Sequence, residues 1–239
     1  MTYPSYDFDA LSPSLFPFAL AAVCSLWRDV ISLVPEYWMN VVVFVDSEAT
    51  CPGAISSQLL WSRGLPLDVV VIGGAVDTQG MMSKVMKTHI NPNLYRTWTL
   101  RFNVKSGSCL PLFPVDFDHS SYLRRLRLEC VQEDGGRIES DPDIPMNVME
   151  SDFQFPALDK LTVDGWNYLN VWQRNSAAWL DGVKNVGDLT LCRYTPSAGD
   201  SFSTHALALL LKDTEELRDL HIIDVDLCLS KSHGGPTTP

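Results

Sequence analysis

Histidines, cysteines, clustered carboxylates and glycine-rich turns are the residues here that could carry chemistry, and their spacing decides whether they do. The five histidines stand at 89, 119, 205, 221 and 233, and none is set against another histidine, cysteine or carboxylate at the short spacing of a metal site. Six cysteines, at 24, 51, 109, 130, 192 and 228, are too widely separated for a zinc or redox pair and read as free thiols of a reducing compartment. Val69-Val70-Val71-Ile72 runs into Gly73-Gly74, but the next glycine is Gly80, so neither the dinucleotide nor the Walker spacing is met and a tight turn is expected. Asp116-Phe117-Asp118-His119-Ser120-Ser121 gathers polar groups without the order of a nucleophile elbow or triad; it reads as a turn with a helix cap. An enzyme built from distant residues would need a deep pocket with converging polar groups. Nothing in the spacing favours one, and no catalytic residue, cofactor or metal is assigned.

Charge narrows the partners. A formal charge of -11 over 239 residues repels phosphate backbones and anionic membranes, so nucleic acid and membrane are excluded as partners and a protein is favoured. The apolar run Phe16 to Leu26 has no lysine or arginine before it, follows Asp7 and Asp9, and leads into Trp27-Arg28-Asp29 without a small-residue cleavage site, unlike a signal peptide. An intracellular protein, cytoplasmic or nuclear, is expected.

The elements that would position any site repeat. Pairs of apolar residues two apart recur as Val41-Val43, Val69-Val71, Trp98-Leu100, Leu126-Leu128, Leu161-Val163, Leu189-Leu191 and Leu220-Ile222, each a short strand by its period of two. Four share a longer signature, L-x-x-L-x-L, beginning at Leu123, Leu158, Val186 and Leu217. Between them the period lengthens as an amphipathic helix requires. Residues 53–62 offer Ile55, Leu59 and Leu60 after Pro52. Residues 76–90 offer Met81, Met82, Val85, Met86, His89 and Ile90, with Asp77 as a cap and Pro92 just past the end. Residues 168–181 offer Leu169, Trp172 and Trp179, and residues 203–212 offer Leu207, Leu210 and Leu211 behind a Ser203 cap. One strand–helix pair cannot bury its apolar face alone, so neighbours must stack. Asp134 to Pro145 reads as a surface loop that widens one interval.

These features predict an α/β chain: an irregular leucine-rich-repeat-like solenoid of strand–helix units over residues 39–229, a helical head over 1–38 and a disordered tail over 230–239. In the head, one helix is expected over residues 17–34, with Val23, Trp27, Val30, Ile31 and Val34 on a face meant for burial. Alternation in the strands turns the residue between two interior positions outward. Thr99, Arg127, Thr162, Thr190 and His221 should therefore form one exposed row, and Arg101, Glu129, Asp164 and Cys192 a second, as a face for a protein partner.

Leu20-Ala21-Ala22-Val23-Cys24-Ser25-Leu26-Trp27-Arg28-Asp29, followed by Val34-Pro35 and Trp38, resembles the second half of an F-box. Leu59-Leu60-Trp61-Ser62-Arg63-Gly64-Leu65-Pro66-Leu67 is similar to the segment after the F-box in F-box-like proteins of mushroom-forming fungi, where a repeat array follows. The family's opening helix, with its L-P-x-E-I-L start, has no counterpart; Tyr3 to Ser14 offers only Leu11 and Pro13 in its place. The resemblance implies a substrate-recognition subunit of a Skp-cullin-type ubiquitin ligase. It assigns contact with a Skp-type adaptor to Leu11, Pro13, Val23, Cys24, Trp27, Arg28 and Trp38, and target capture to the array. The alternative is a repeat scaffold of the same ancestry that binds only a protein partner.

Overall fold

The protein is described by a computed structural model over residues 17–45, 50–73, 79–113, 116–118, 120–132, 155–165, 167–168, 182–194, 202–203, 207–208, 211–212, 214, 216–225 and 227–228. Helices α1 (Phe18–Ala21) and α2 (Ser25–Ser32) lead to strand β1 (Asn40–Phe44). Helix α3 (Pro52–Trp61), β2 (Leu67–Gly73), α4 (Gln79–Val85), β3 (Thr97–Ser106), β4 (Arg125–Gln132), β5 (Lys160–Asp164), β6 (Asp188–Tyr194), β7 (Phe202–Ser203), β8 (Asp219–Val225) and β9 (Leu227–Cys228) follow. Seven strands form one open parallel sheet in the order β1-β2-β3-β4-β5-β6-β8, and β7 pairs with β9 separately. Order in space follows order in the chain, so the large sheet has no point where strand order reverses, the place at which doubly wound sheets hold ligands.

Two apolar ladders run across the sheet. Val41, Val69, Leu100, Leu126, Leu161, Leu189 and Leu220 are direct neighbours in register, and so are Val43, Val71, Phe102, Leu128, Val163, Leu191 and Ile222. From β1 to β6 every member is buried, each contributing about 1.5–3 kcal/mol relative to exposure. All seven expected segments join this sheet, but the third takes a different register. Its interior pair is Leu100-Phe102, because Asp68 pairs with Thr99 while Leu67 pairs with Thr97, and the intervening residue Trp98 is squeezed out of the ladder as in a β-bulge. Trp98 is 39% exposed and lies 4.8 Å beneath the Arg124 guanidinium.

Strand entry is repeated in detail. The Arg124 carbonyl accepts hydrogen bonds from both Asp159 N and Lys160 N, the Asp159 carbonyl from Gly187 N and Asp188 N, and the Gly187 carbonyl from Arg218 N and Asp219 N, all at 2.9–3.0 Å. The residue before each of the first two acceptors, Leu123 and Leu158, is fully buried, which is what the first leucine of L-x-x-L-x-L is for. Strand exit repeats as well. Arg193 and Asp224, matched positions on β6 and β8, both adopt left-handed backbone with φ of 52° and 54°, uncommon for residues other than glycine.

The helices differ from expectation in informative ways. α3 starts on Pro52, whose missing N–H costs nothing in the first turn; Ile55 is buried and Gln58 donates to the Asn40 carbonyl at 2.6 Å, but Leu60 faces solvent. Met82, Val85, Met86 and Ile90 enter the core, whereas Met81 is exposed. Pro92 does not end that segment: α4 widens into a π turn over Met86–Ile90 and tightens into a 3-10 turn over Asn91–Arg96, with proline in its first turn. Arg96, 6% exposed, closes the C-terminus of α3. Its five N–H groups donate to the carbonyls of Leu59 and Arg63, the Ser62 hydroxyl and, twice, the Asn93 side chain, so the buried charge faces the negative end of the helix.

The head is two helices rather than one. Cys24 is extended, with φ -162° and ψ 169°, and separates α1 from α2; Arg28 Nε bridges the break by donating to the Ala21 carbonyl at 3.2 Å. Ser203 lies in β7 rather than capping a helix. Asp77, the stripe at Leu169, Trp172 and Trp179, Leu210, the Asp134–Pro145 loop and the 230–239 tail lie outside the described residues.

Candidate interaction surfaces

The face of α2 expected to be buried is open. Of Val23, Trp27, Val30, Ile31 and Val34, only Ile31 is buried; Val23 (64%), Trp27 and Val30 are exposed, and Leu26 (69%) and Leu33 join them. Positions 26, 27, 30 and 33 share one side of α2 by their three- and four-residue spacing, so these side chains form an apolar stripe with Val23, Cys24 and Arg28 exposed beside it. Leu26 and Leu33 were absent from the assigned contacts although four- and three-residue spacing from Val30 identifies them.

Trp38 does not belong to that surface. It is fully buried, donates its indole N–H to the Ile31 carbonyl at 3.0 Å, and packs its ring 4.5 Å from Trp61. Its work is to join α2 to α3, which corrects its assignment as an adaptor contact. Leu11 and Pro13 lie outside the described residues.

On the sheet, the side chains between the ladders form the outer face. The register places Arg101, not Thr99, in line with Arg127, Thr162, Thr190 and His221, and puts Asn103 beside Glu129. Thr99 falls in the row of Asp68, Arg125, Lys160, Asp188 and Asp219 and is only 6% exposed. Asp164 is also buried, its Oδ1 accepting from Asn167 N at 3.0 Å, and so is Cys192. Burial first, then the carboxylates of Glu129 and Asp164, push the Cys192 thiol up to about 12. These three residues are structural and drop out of the exposed rows for that reason. Arg101, Arg127 and His221 are exposed, and Glu129, Thr162 and Thr190 are half-buried.

Arg125, exposed two residues before Arg127, was missed, although its parity with Arg127 puts it on the same face. Across the face run half-buried Val42, Phe44, Val70 and Ile72 with exposed Asp68 on β1 and β2, then Arg101, Arg125 and Arg127 on β3 and β4, then Asp188 and Asp219 toward the far edge.

Elsewhere the polar residues serve the backbone. In the segment after Leu112, Asp116 Oδ2 accepts from Leu112 N at 2.7 Å, and the buried Ser120 hydroxyl donates to the Leu94 carbonyl at 2.8 Å and accepts from Leu123 N. Among the described residues the turn leads into β4 and caps no helix. Gly73 ends β2 within the sheet. His89 is packed inside, where desolvation lowers its pKa, beside a void of about 10 Å³ bounded by Val41, Ile55 and Val69, room for no more than one water. Among the described residues no group of three histidine, cysteine or acidic side chains is arranged to hold a metal, and no helix is long and apolar enough to cross a membrane. Compared with known proteins, the chain matches no family model, no curated protein and no solved structure.

Proposed function

We propose that the protein is a non-catalytic interaction module, an F-box-like substrate-recognition subunit in which α2 docks on a Skp-type adaptor of a cullin ubiquitin ligase and a leucine-rich-repeat-like array holds the target. The observation that carries this reading is the apolar stripe of α2. Four neighbouring apolar side chains on α2 and its C-cap, with Val23 beside them, would be buried if packing were their only task, and a contiguous exposed apolar patch is the ordinary mark of a protein contact. The sequential parallel sheet beside it, with identical hydrogen bonds at three successive strand entries, supports a stacked array with a free strand face for a second partner.

Co-expression with a Skp-type adaptor tests the assignment. The wild-type chain is expected to co-purify with the adaptor, Leu26→Asp and Trp27→Asp to abolish the complex while leaving the thermal midpoint unchanged, and the adaptor to protect the exposed Cys24 thiol from alkylation while Cys51 stays reactive. Failure to co-purify would remove the ligase role and leave a scaffold that binds its partner through the array alone.

A further inference from the structure

The middle of the outer sheet face holds a charge arrangement that folding does not favour. Arg101 stands directly opposite Arg127, and Arg125 directly opposite Lys160; like charges facing each other across strands are destabilising. Two of the four cations are offset, Arg127 by Glu129 at 2.8 Å and Lys160 by Asp188 at 2.7 Å. Among the described residues no carboxylate lies within ion-pair distance of Arg101 or Arg125. This occurs in a chain with 29 acidic and 18 basic residues, where an offsetting carboxylate would be the common neighbour.

We propose that the outer face of β3 and β4 docks an extended acidic segment of a partner protein, with alternate Asp or Glu carboxylates on Arg101 and Arg125 and a flanking apolar side chain over Val42 and Val70. The inference rests on the reading of the strand face as the target-binding surface and names the chemistry of the target. Arg101 and Arg125 are diagonal neighbours about 7–8 Å apart at their backbones, and alternate side chains of an extended peptide are about 6.6–6.8 Å apart, so one guanidinium fork meets each carboxylate of an acid-x-acid pattern. Val70 lies directly beside Arg101 and Val42 beside Val70, which gives an adjacent aliphatic residue its seat. Asp68 on β2 and Asp219 on β8, exposed on the same face, repel further carboxylates and confine the acidic residues to the centre.

The test uses the full chain and a fluorescein-labelled peptide of about ten residues, about 33 Å when extended and comparable to the width of seven strands, carrying Glu-x-Glu next to leucine. Anisotropy is expected to show saturable binding that weakens with salt, at least about tenfold weaker binding of the Gln-x-Gln peptide, and a similar loss in Arg101→Gln combined with Arg125→Gln, with Lys212→Gln unchanged. Equal affinity for the two peptides, wild-type affinity in the arginine variant, or displacement by a single-stranded oligonucleotide at lower concentration than by unlabelled peptide would overturn the acidic-segment proposal. If Val42→Thr with Val70→Thr abolishes binding while the arginine variant binds normally, the strand face remains a docking surface and only its acidic preference falls. If neither pair of substitutions matters, the strand-face reading itself falls, independently of the adaptor contact at α2.

Discussion

The α2 helix and the sheet interior are built from the same residue types with equally regular spacing, yet the sheet buries its apolar ladders and α2 leaves its stripe in water. Periodicity therefore reports that residues share a face, and it carries no information about whether anything covers that face. The ladders are covered by the side chains packed on that face of the sheet, Ile55 of α3, Met82 and Val85 of α4, and Phe113 and Phe117 among them. Among the described residues α2 packs through Ile31 with Ala21, Trp38 and Trp61, on the other side of the head.

The contrast can be broken most directly by truncating one leucine from each region. Leu126→Ala, in the ladder between Leu100 and Leu161, should lower the unfolding free energy by about 2–5 kcal/mol, read by urea denaturation. Leu33→Ala should change it by no more than about 0.5 kcal/mol; a comparable loss at both sites would mean that α2 packs on something in the free protein. Arg96→Met tests whether the junction between the regions depends on a buried cation. It strands the last carbonyls of α3 without donors and should cost about 2–4 kcal/mol, and Arg96→Lys should recover only part, having three donors where five are used.

The smallest effect is set by pH. His89 is buried with its pKa below the ordinary 6.5, so the unfolded chain binds a proton that the folded chain refuses. Stability should be intact above pH 6.5 and decline as pH falls from there toward the folded-state value. Denaturant midpoints at pH of about 7.5 and about 5.5 should differ more for wild type than for His89→Gln, which removes the titration.

Much of the sheet was legible because alternation is local: six of the seven ladder pairs are the expected ones. The third pair was misread because Trp98 satisfies the pattern, and its expulsion depends on a mismatch at Leu67 and Asp68, on a different strand. That shift also misplaced Thr99 and Arg101 by one row. The break at Cys24 was hidden for the opposite reason, since apolar spacing continues across it while the backbone does not. Burial of Trp38, Asp164 and Cys192 depends on side chains distant in sequence, Trp61 for the first and neighbouring strands for the others. Arg125, like Val42 and Val70 between their interior neighbours, could have been found by counting parity.

Because each strand of the large sheet lies next to the strand synthesised before it, a growing polypeptide can dock every new strand as it leaves the ribosome, onto an edge that is already complete. A sheet whose central strands come last in sequence must hold a gap open until synthesis ends. Here assembly can keep pace with translation, and a chain interrupted after several strands would already hold them in their final order.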